Sequence, residues 1–276
     1  MNRISRRRLL GLSAAGVCGL AGCTSTDGAA GDDQPDGSAG DEAGEGGPFA
    51  SVAVEETTLV IDLREDASVE QVNVIAPDGS RIRSFDIVSG QTRVRAELGV
   101  TYAPGTYEIT TESGASTSLT LEPDLVIEEL GVGANNLDVM PDSLGNFEPY
   151  AATVVVRNRG TGPTGIVNLA FSGDVPNPTE DVMPYPQKSG IVDPENGVTD
   201  VEFKLIESNS SVRLFTSTVP FLFAGQEAKC SSMPSESIIR VEVSDSVTGE
   251  SSTAEFDASY SAGEATCAIS IEDRNT

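Results

Sequence analysis

Histidine and tryptophan are absent from the 276 residues, and lysine is confined to Lys188, Lys204 and Lys229. Without histidine the chain has no imidazole general base, no imidazole metal ligand and no Ser-His or Cys-His nucleophile pair. Without tryptophan an antibody-like core built around a buried indole is excluded, although other sandwich families do without one. Motifs for chemistry are missing too. There is no Gly-x-Ser-x-Gly elbow, and no lysine follows a serine by three residues. Gly131-Val132-Gly133 lacks the third glycine of a dinucleotide fingerprint, and no Gly-Lys-Ser/Thr occurs. No basic patch offsets the 43 acidic residues, so nucleic acid is not an expected partner. No sustained helical period is found, and the apolar run from Leu9 to Gly22 would make a helix of about 21 Å, too short for a hydrocarbon core of roughly 30 Å.

The first 23 residues read as an address followed by an attachment point. Basic residues precede a short apolar, small-residue segment, the order of a secretory leader. Ser5-Arg6-Arg7-Arg8-Leu9-Leu10 resembles a twin-arginine signal, in which Arg6, Arg7 and Arg8 are read by the export receptor. Leu20-Ala21-Gly22-Cys23 resembles a lipobox. That resemblance implies cleavage after Gly22, lipid on Cys23 and a protein held at the extracellular face of the cell membrane by two acyl chains.

The formal charge of −26 becomes −30 once the four leader arginines are removed. Such self-repulsion opposes a compact state unless salt screens it. Together with the two leader motifs, this composition resembles that of lipoproteins of halophilic archaea. Residues 1–22 are thus the expected signal peptide and 23–50 a lipid-anchored, disordered acidic linker. Between Thr24 and Pro48 there are seven carboxylates, no cation and little to bury.

From Ser51 the texture becomes short β-rich runs divided by turn residues. Strands are predicted at 51–54, 57–63, 69–75, 81–88, 92–98, 106–111 and 117–121, seven in about 70 residues, which points to a sandwich over 51–122. Pro77-Asp78-Gly79 and Ser89-Gly90 supply the turns. One-residue slips within Val69, Val72, Val74 and within Ile82, Phe85, Ile87 suggest bulges or a change of face. Tyr102-Ala103-Pro104-Gly105-Thr106-Tyr107-Glu108-Ile109 resembles the Pro-Gly-Thr-Tyr corner of immunoglobulin-like and fibronectin-like bacterial surface modules, which implies that Tyr107 packs across the core.

Glu122-Pro123-Asp124 leaves little slack before a larger domain over 123–276. There strands are predicted at 125–130, 151–157, 165–171, 201–206, 211–219, 237–243, 253–260 and 266–271. The runs flanking Asn158-Arg159-Gly160-Thr161-Gly162-Pro163 read as a hairpin. Residues 125–172 resemble the start of CARDB-type adhesion-related sandwiches, where a strand ends in an Asn-x-Gly turn. The most apolar cluster of the mature chain, Phe215, Val219, Phe221, Leu222 and Phe223, is expected beneath a sheet.

The expected fold is therefore all-β, with two consecutive immunoglobulin-like sandwiches behind the leader and linker. Cys230 and Cys267, an even pair outside the cell, are predicted to form a disulfide. Asn209-Ser210-Ser211 is a glycosylation sequon. The proline-rich loop 173–200 is the candidate binding surface, with Met183, Tyr185 and Ile191 as its apolar substance. Asp193-Pro194-Glu195-Asn196-Gly197 lacks the register of a calcium loop, so no metal and no cofactor are expected. The expected role is non-enzymatic: a membrane-held surface module for adhesion, envelope organisation or contact with a protein or glycan, of unassigned oligomeric state. An accessory ligand-capture lipoprotein serving a transporter or sensor is the alternative.

Overall fold

The computed structural model describes residues 47–179, 189–195, 197, 200–223, 230–262 and 267–273. Arg6, Arg7, Arg8, Cys23, nearly all of the acidic linker, Met183 and Tyr185 lie outside the described residues. The first sandwich comprises β1 (Phe49–Glu55), β2 (Thr58–Leu63), β3 (Gln71–Ile75), β4 (Arg81–Asp86), β5 (Arg93–Glu97), β6 (Gly105–Thr111) and β7 (Ser116–Leu121). The second comprises β8 (Leu125–Val132), β9 (Ala152–Asn158), β10 (Thr164–Gly173), β11 (Ile191–Val192), β12 (Lys204–Ile206), β13 (Ser211–Thr216), β14 (Ser237–Asp245), β15 (Ser251–Ala262) and β16 (Cys267–Asp273).

In the first sandwich a sheet β1-β2-β5 faces a sheet β4-β3-β6-β7. This is a Greek-key, immunoglobulin-like order, since the third strand leaves the first sheet and the fifth returns to it. Alternation along β3 and β6 buries Val72, Val74, Tyr107 and Ile109 against Leu59 and Ile61. Each such side chain contributes about 1.5–3 kcal/mol by leaving water. The Tyr107 hydroxyl donates to the Ala103 carbonyl at 2.9 Å, a tyrosine corner at the entry to β6. Gly79 and Gly90 take the positive φ that their turns require. The slip near Ile82 is a bulge: Val74 pairs with Arg83 and Ile75 with Arg81, so Ile82 is the extra residue.

The second sandwich sets β11-β13-β9-β8 against β12-β10-β14-β15-β16. Ile166, Phe171, Leu214, Phe221 and Phe256 fill the space between them. Of the apolar cluster at 215–223, Phe221 is fully buried and Phe223 packs edge-on to Tyr260 with ring centres 6.1 Å apart. The Cys230–Cys267 disulfide is present and closes a separation of 37 residues. On the chain-entropy model a loop of that size adds about 3–4 kcal/mol.

The expected hairpin across Asn158-Arg159-Gly160-Thr161-Gly162-Pro163 is not formed. β9 pairs with β8 and β13, whereas β10 pairs with β12 and β14, so these residues cross from one sheet to the other. The cause is Asn158, whose side chain is fully buried. Its Oδ1 accepts from the amides of Gly160 and Asp124, each at 3.0 Å. Its Nδ2 donates to the carbonyls of Gly162 at 2.8 Å and Glu207 at 3.2 Å. The crossing loop is thereby clamped onto the linker between the sandwiches. Further bonds run from the Arg159 amide to the Asp124 carbonyl (2.7 Å) and from the Thr161 amide to the Glu122 carbonyl (2.8 Å).

The glycines are required by proximity. A Cβ on Gly160 would collide with the Glu122 carbonyl, and one on Gly162 with the Tyr102 hydroxyl. Tyr102 completes the seam from the first sandwich. Its hydroxyl donates to the Pro163 carbonyl at 2.8 Å, and burial, with lesser effects of Tyr107 and Asp245, pushes the phenol far above its ordinary range. From the other side the β14–β15 turn reaches across: Val247 packs on the first core, and the Ser246 hydroxyl donates to the Val100 carbonyl. Replacing Asn158 with Ala breaks all four bonds, strands the buried Gly160 amide and Gly162 carbonyl, and is expected to cost about 2–3 kcal/mol. Denaturant unfolding of the protein measures it, and a loss below about 1 kcal/mol would mean that water replaces the clamp.

Candidate functional site: the loop end away from the seam

Strand register sorts the loops of the second sandwich into two ends. Leu125 pairs with Asn158 and Ser211 with Arg157 beside the seam. At the other end Val132 pairs with Ala152, Gly173 with Ile239 and Ala262 with Cys267. Four connections therefore gather at the end away from the seam: 133–151, the segment after β10, the segment between β13 and β14, and the β15–β16 turn. In the first sandwich Thr58 pairs with Glu97 at the seam end, which puts Phe49, paired with Leu63, at the opposite end. The described chain thus enters at the far end of one sandwich, and these loops close the far end of the other.

The connection 133–150 is not slack. Three short 3-10 turns, one over Gly133–Asn135 and two joined by a kink at Gly145 within Asp142–Tyr150, fold it over a small core of Met140, Leu144, Ala151 and Val192, with Phe215 packed on it. The Asn135 amide group donates to the Ile269 carbonyl at 2.8 Å and the Asn136 amide group to the Val132 carbonyl at 2.9 Å. The Gly133 amide donates to the Ala151 carbonyl at 2.9 Å, and a Cβ on Gly133 would meet the Glu148 carbonyl. On this fixed frame Leu137 is 52%, Val139 37% and Phe147 55% exposed. Three of the seven exposed large apolar side chains among the described residues therefore stand on one connection. Isolated exposed apolar residues need no explanation, whereas several on an ordered support mark a contact surface.

Of the three apolar residues expected at a binding surface in loop 173–200, only Ile191 lies among the described residues. Ile191 is a correction: it is fully buried and pairs with Thr216, so it faces the core and is not a contact residue. The prolines at 184, 186 and 194 do not prevent this, because β11 is a two-residue edge strand that lies between them. Ser189 and Val201 bond to each other across the loop, and Asp193 is buried with its carboxylate 3.6 Å from Lys204 Nζ, so that acid is not solvated. Cys230 and Cys267 are joined at the loop end described above. Asn209 lies at the seam end between β12 and β13, exposed and at φ +54°, where its amide reaches solvent. Residues 133–150 were passed over because their apolar residues follow neither a two-residue nor a helical period. The available signal was the gap of some 20 residues between the predicted strands at 130 and 151, longer than an ordinary connection.

Elsewhere, an open groove of about 600 Å³ runs between β8 and β15, lined by Leu125, Val126, Ile127 and Ser252 to Glu255. The Ser252 hydroxyl donates to the Leu125 carbonyl across it, and Glu255 pairs with Arg240, so polar groups do not converge on a ligand position. Among the described residues no group of three acidic or cysteine side chains is placed to hold a metal ion. No helix among them is long and apolar enough to cross a membrane.

No family model matches the chain, and no curated protein is similar to it. Solved structures similar to it include a segment of two fibronectin type-III domains from chicken tenascin, at 12% identity, covering 76% of this chain and 95% of that one, with a TM-score of 0.25. The BSP domain of a biofilm-associated protein is also similar, at 12% identity, covering 81% of this chain and 28% of that one, with a TM-score of 0.21. The all-β, immunoglobulin-like fold rests on the strand order itself. If Phe147 serves contact and Leu144 serves folding, Phe147→Ser is expected to change stability by no more than about 0.5 kcal/mol and Leu144→Ala to cost about 2–5 kcal/mol. Thermal and denaturant unfolding of both variants separates the two roles, and equal losses would contradict it.

Proposed function

We propose that this chain is a non-enzymatic contact protein of the cell exterior, exported through its Arg6-Arg7-Arg8 leader and held at the membrane by lipid on Cys23. In this reading it is a lipoprotein of a halophile, and its two sandwiches present loops to another component of the envelope for adhesion or envelope organisation. The observation that carries the reading is the placement of chain entry and ordered apolar loop at the far ends of sandwiches clamped through Asn158. A firm seam suits display, because it keeps the contact surface from folding back onto the tether at an entropic gain. The leader motifs support the anchor, and the acidic surface supports the saline setting.

Replacing Cys23 with Ser is expected to move the protein from the membrane fraction to the medium, and fractionation measures this. The released protein, added to cells from which the gene has been deleted, is expected to bind saturably. Retention of the variant in the membrane would overturn the anchor, and absence of saturable binding would overturn the contact role.

A further inference from the structure

Resting on that reading, we propose that the 133–150 platform is the contact site and that its occupant is a segment of another protein carrying both apolar and cationic side chains. Leu137, Val139 and Phe147 supply the apolar contact. On the same connection are the exposed carboxylates of Asp138 and Asp142 and the half-buried carboxylate of Glu148, none of which is engaged by a cation among the described residues.

Charge chooses among the occupants. A second copy would bring the same three acids against these three, a like-charge juxtaposition that suppresses pairing. An anionic lipid surface meets the same repulsion. A glycan is recognised through converging hydrogen-bonding groups, whereas Asn135 and Asn136, the side-chain amides at the start of the connection, bond to the Ile269 and Val132 carbonyls. A cationic, apolar protein segment satisfies both parts of the surface: its apolar side chains cover Leu137, Val139 and Phe147, and its cations meet the surrounding acids. Because the platform is already ordered over Met140 and Leu144, little conformational entropy is lost when it is covered.

Site-specific photo-crosslinking in intact cells tests this. The full chain carries p-benzoylphenylalanine in place of Phe147, of Ile238 on the outer sheet face, or of Tyr185, and adducts are identified by mass spectrometry. The expected result is a peptide adduct at 147, absent at 238, from a segment of another protein with net positive charge. Neutralising the acids (Asp138→Asn, Asp142→Asn, Glu148→Gln) is expected to lower its yield by about threefold or more, as for charges at an interface rim. A lipid, a glycan, a second copy or an acidic segment at 147 would overturn the proposal, as would an undiminished yield after neutralisation. Capture at 185 with silence at 147 would overturn the platform and leave the contact function standing. Silence at all three positions would overturn both.

Discussion

An asparagine side chain has two donors and two principal acceptor sites, and at Asn158 all four serve backbone groups on three different segments. Two lie in the crossing loop, one in the linker and one in the turn that leads into β13. The residue is fully buried, and loss of its side chain leaves the buried Gly160 amide and Gly162 carbonyl without the groups that satisfy them, while the part-buried Asp124 amide and Glu207 carbonyl lose their tie to the crossing loop. Neither aspartate nor glutamine can substitute without loss, the first for want of two donors and the second for its length. Gly160, Gly162 and Tyr102 follow from the same constraint, because the linker approaches too closely for a side chain at either glycine and leaves the tyrosine hydroxyl one carbonyl to reach.

With the seam closed, the second sandwich has one free end. The described parts of its loops there are tied down in three ways. Residues 133–150 have their own small core, the Cys230–Cys267 bridge ties two neighbouring connections, and Asn177 bonds to the backbone of Val219 and Pro220. Ordering a loop this thoroughly while leaving about half of Phe147 in solvent is unfavourable for folding alone, since the exposed part of the ring gains nothing from the core. It is favourable for recognition, where an aromatic anchor on a fixed frame loses little freedom when it is covered.

Much of this was legible in the chain. The strands of the first sandwich are short, alternate clearly and are separated by turn residues such as Pro77-Asp78-Gly79, so local chemistry specifies them, and the Pro-Gly-Thr-Tyr corner appears with Tyr107 packed in the core as expected. The disulfide pairing was legible for a simpler reason, the two other cysteines, Cys18 and Cys23, both standing within the first 23 residues. The sheet assignment of β9 and β10 was not. Turn composition reports that a chain reverses, and the partner of each strand is decided by distant groups, here the Asp124 amide and the Glu207 carbonyl that Asn158 reaches. Ile191 was misjudged because a two-residue edge strand has too few positions to show a period, and the platform was missed because irregular backbone over a small core has none.

The claim on which the rest depends is that the two sandwiches form one body through the Asn158 clamp. Residual dipolar couplings measured for backbone amides of both sandwiches in one weakly aligned sample address it directly. A fixed seam is expected to give a single alignment tensor that fits both sets of couplings in the arrangement described. Two tensors of clearly different magnitude would show that the sandwiches reorient independently and would contradict it.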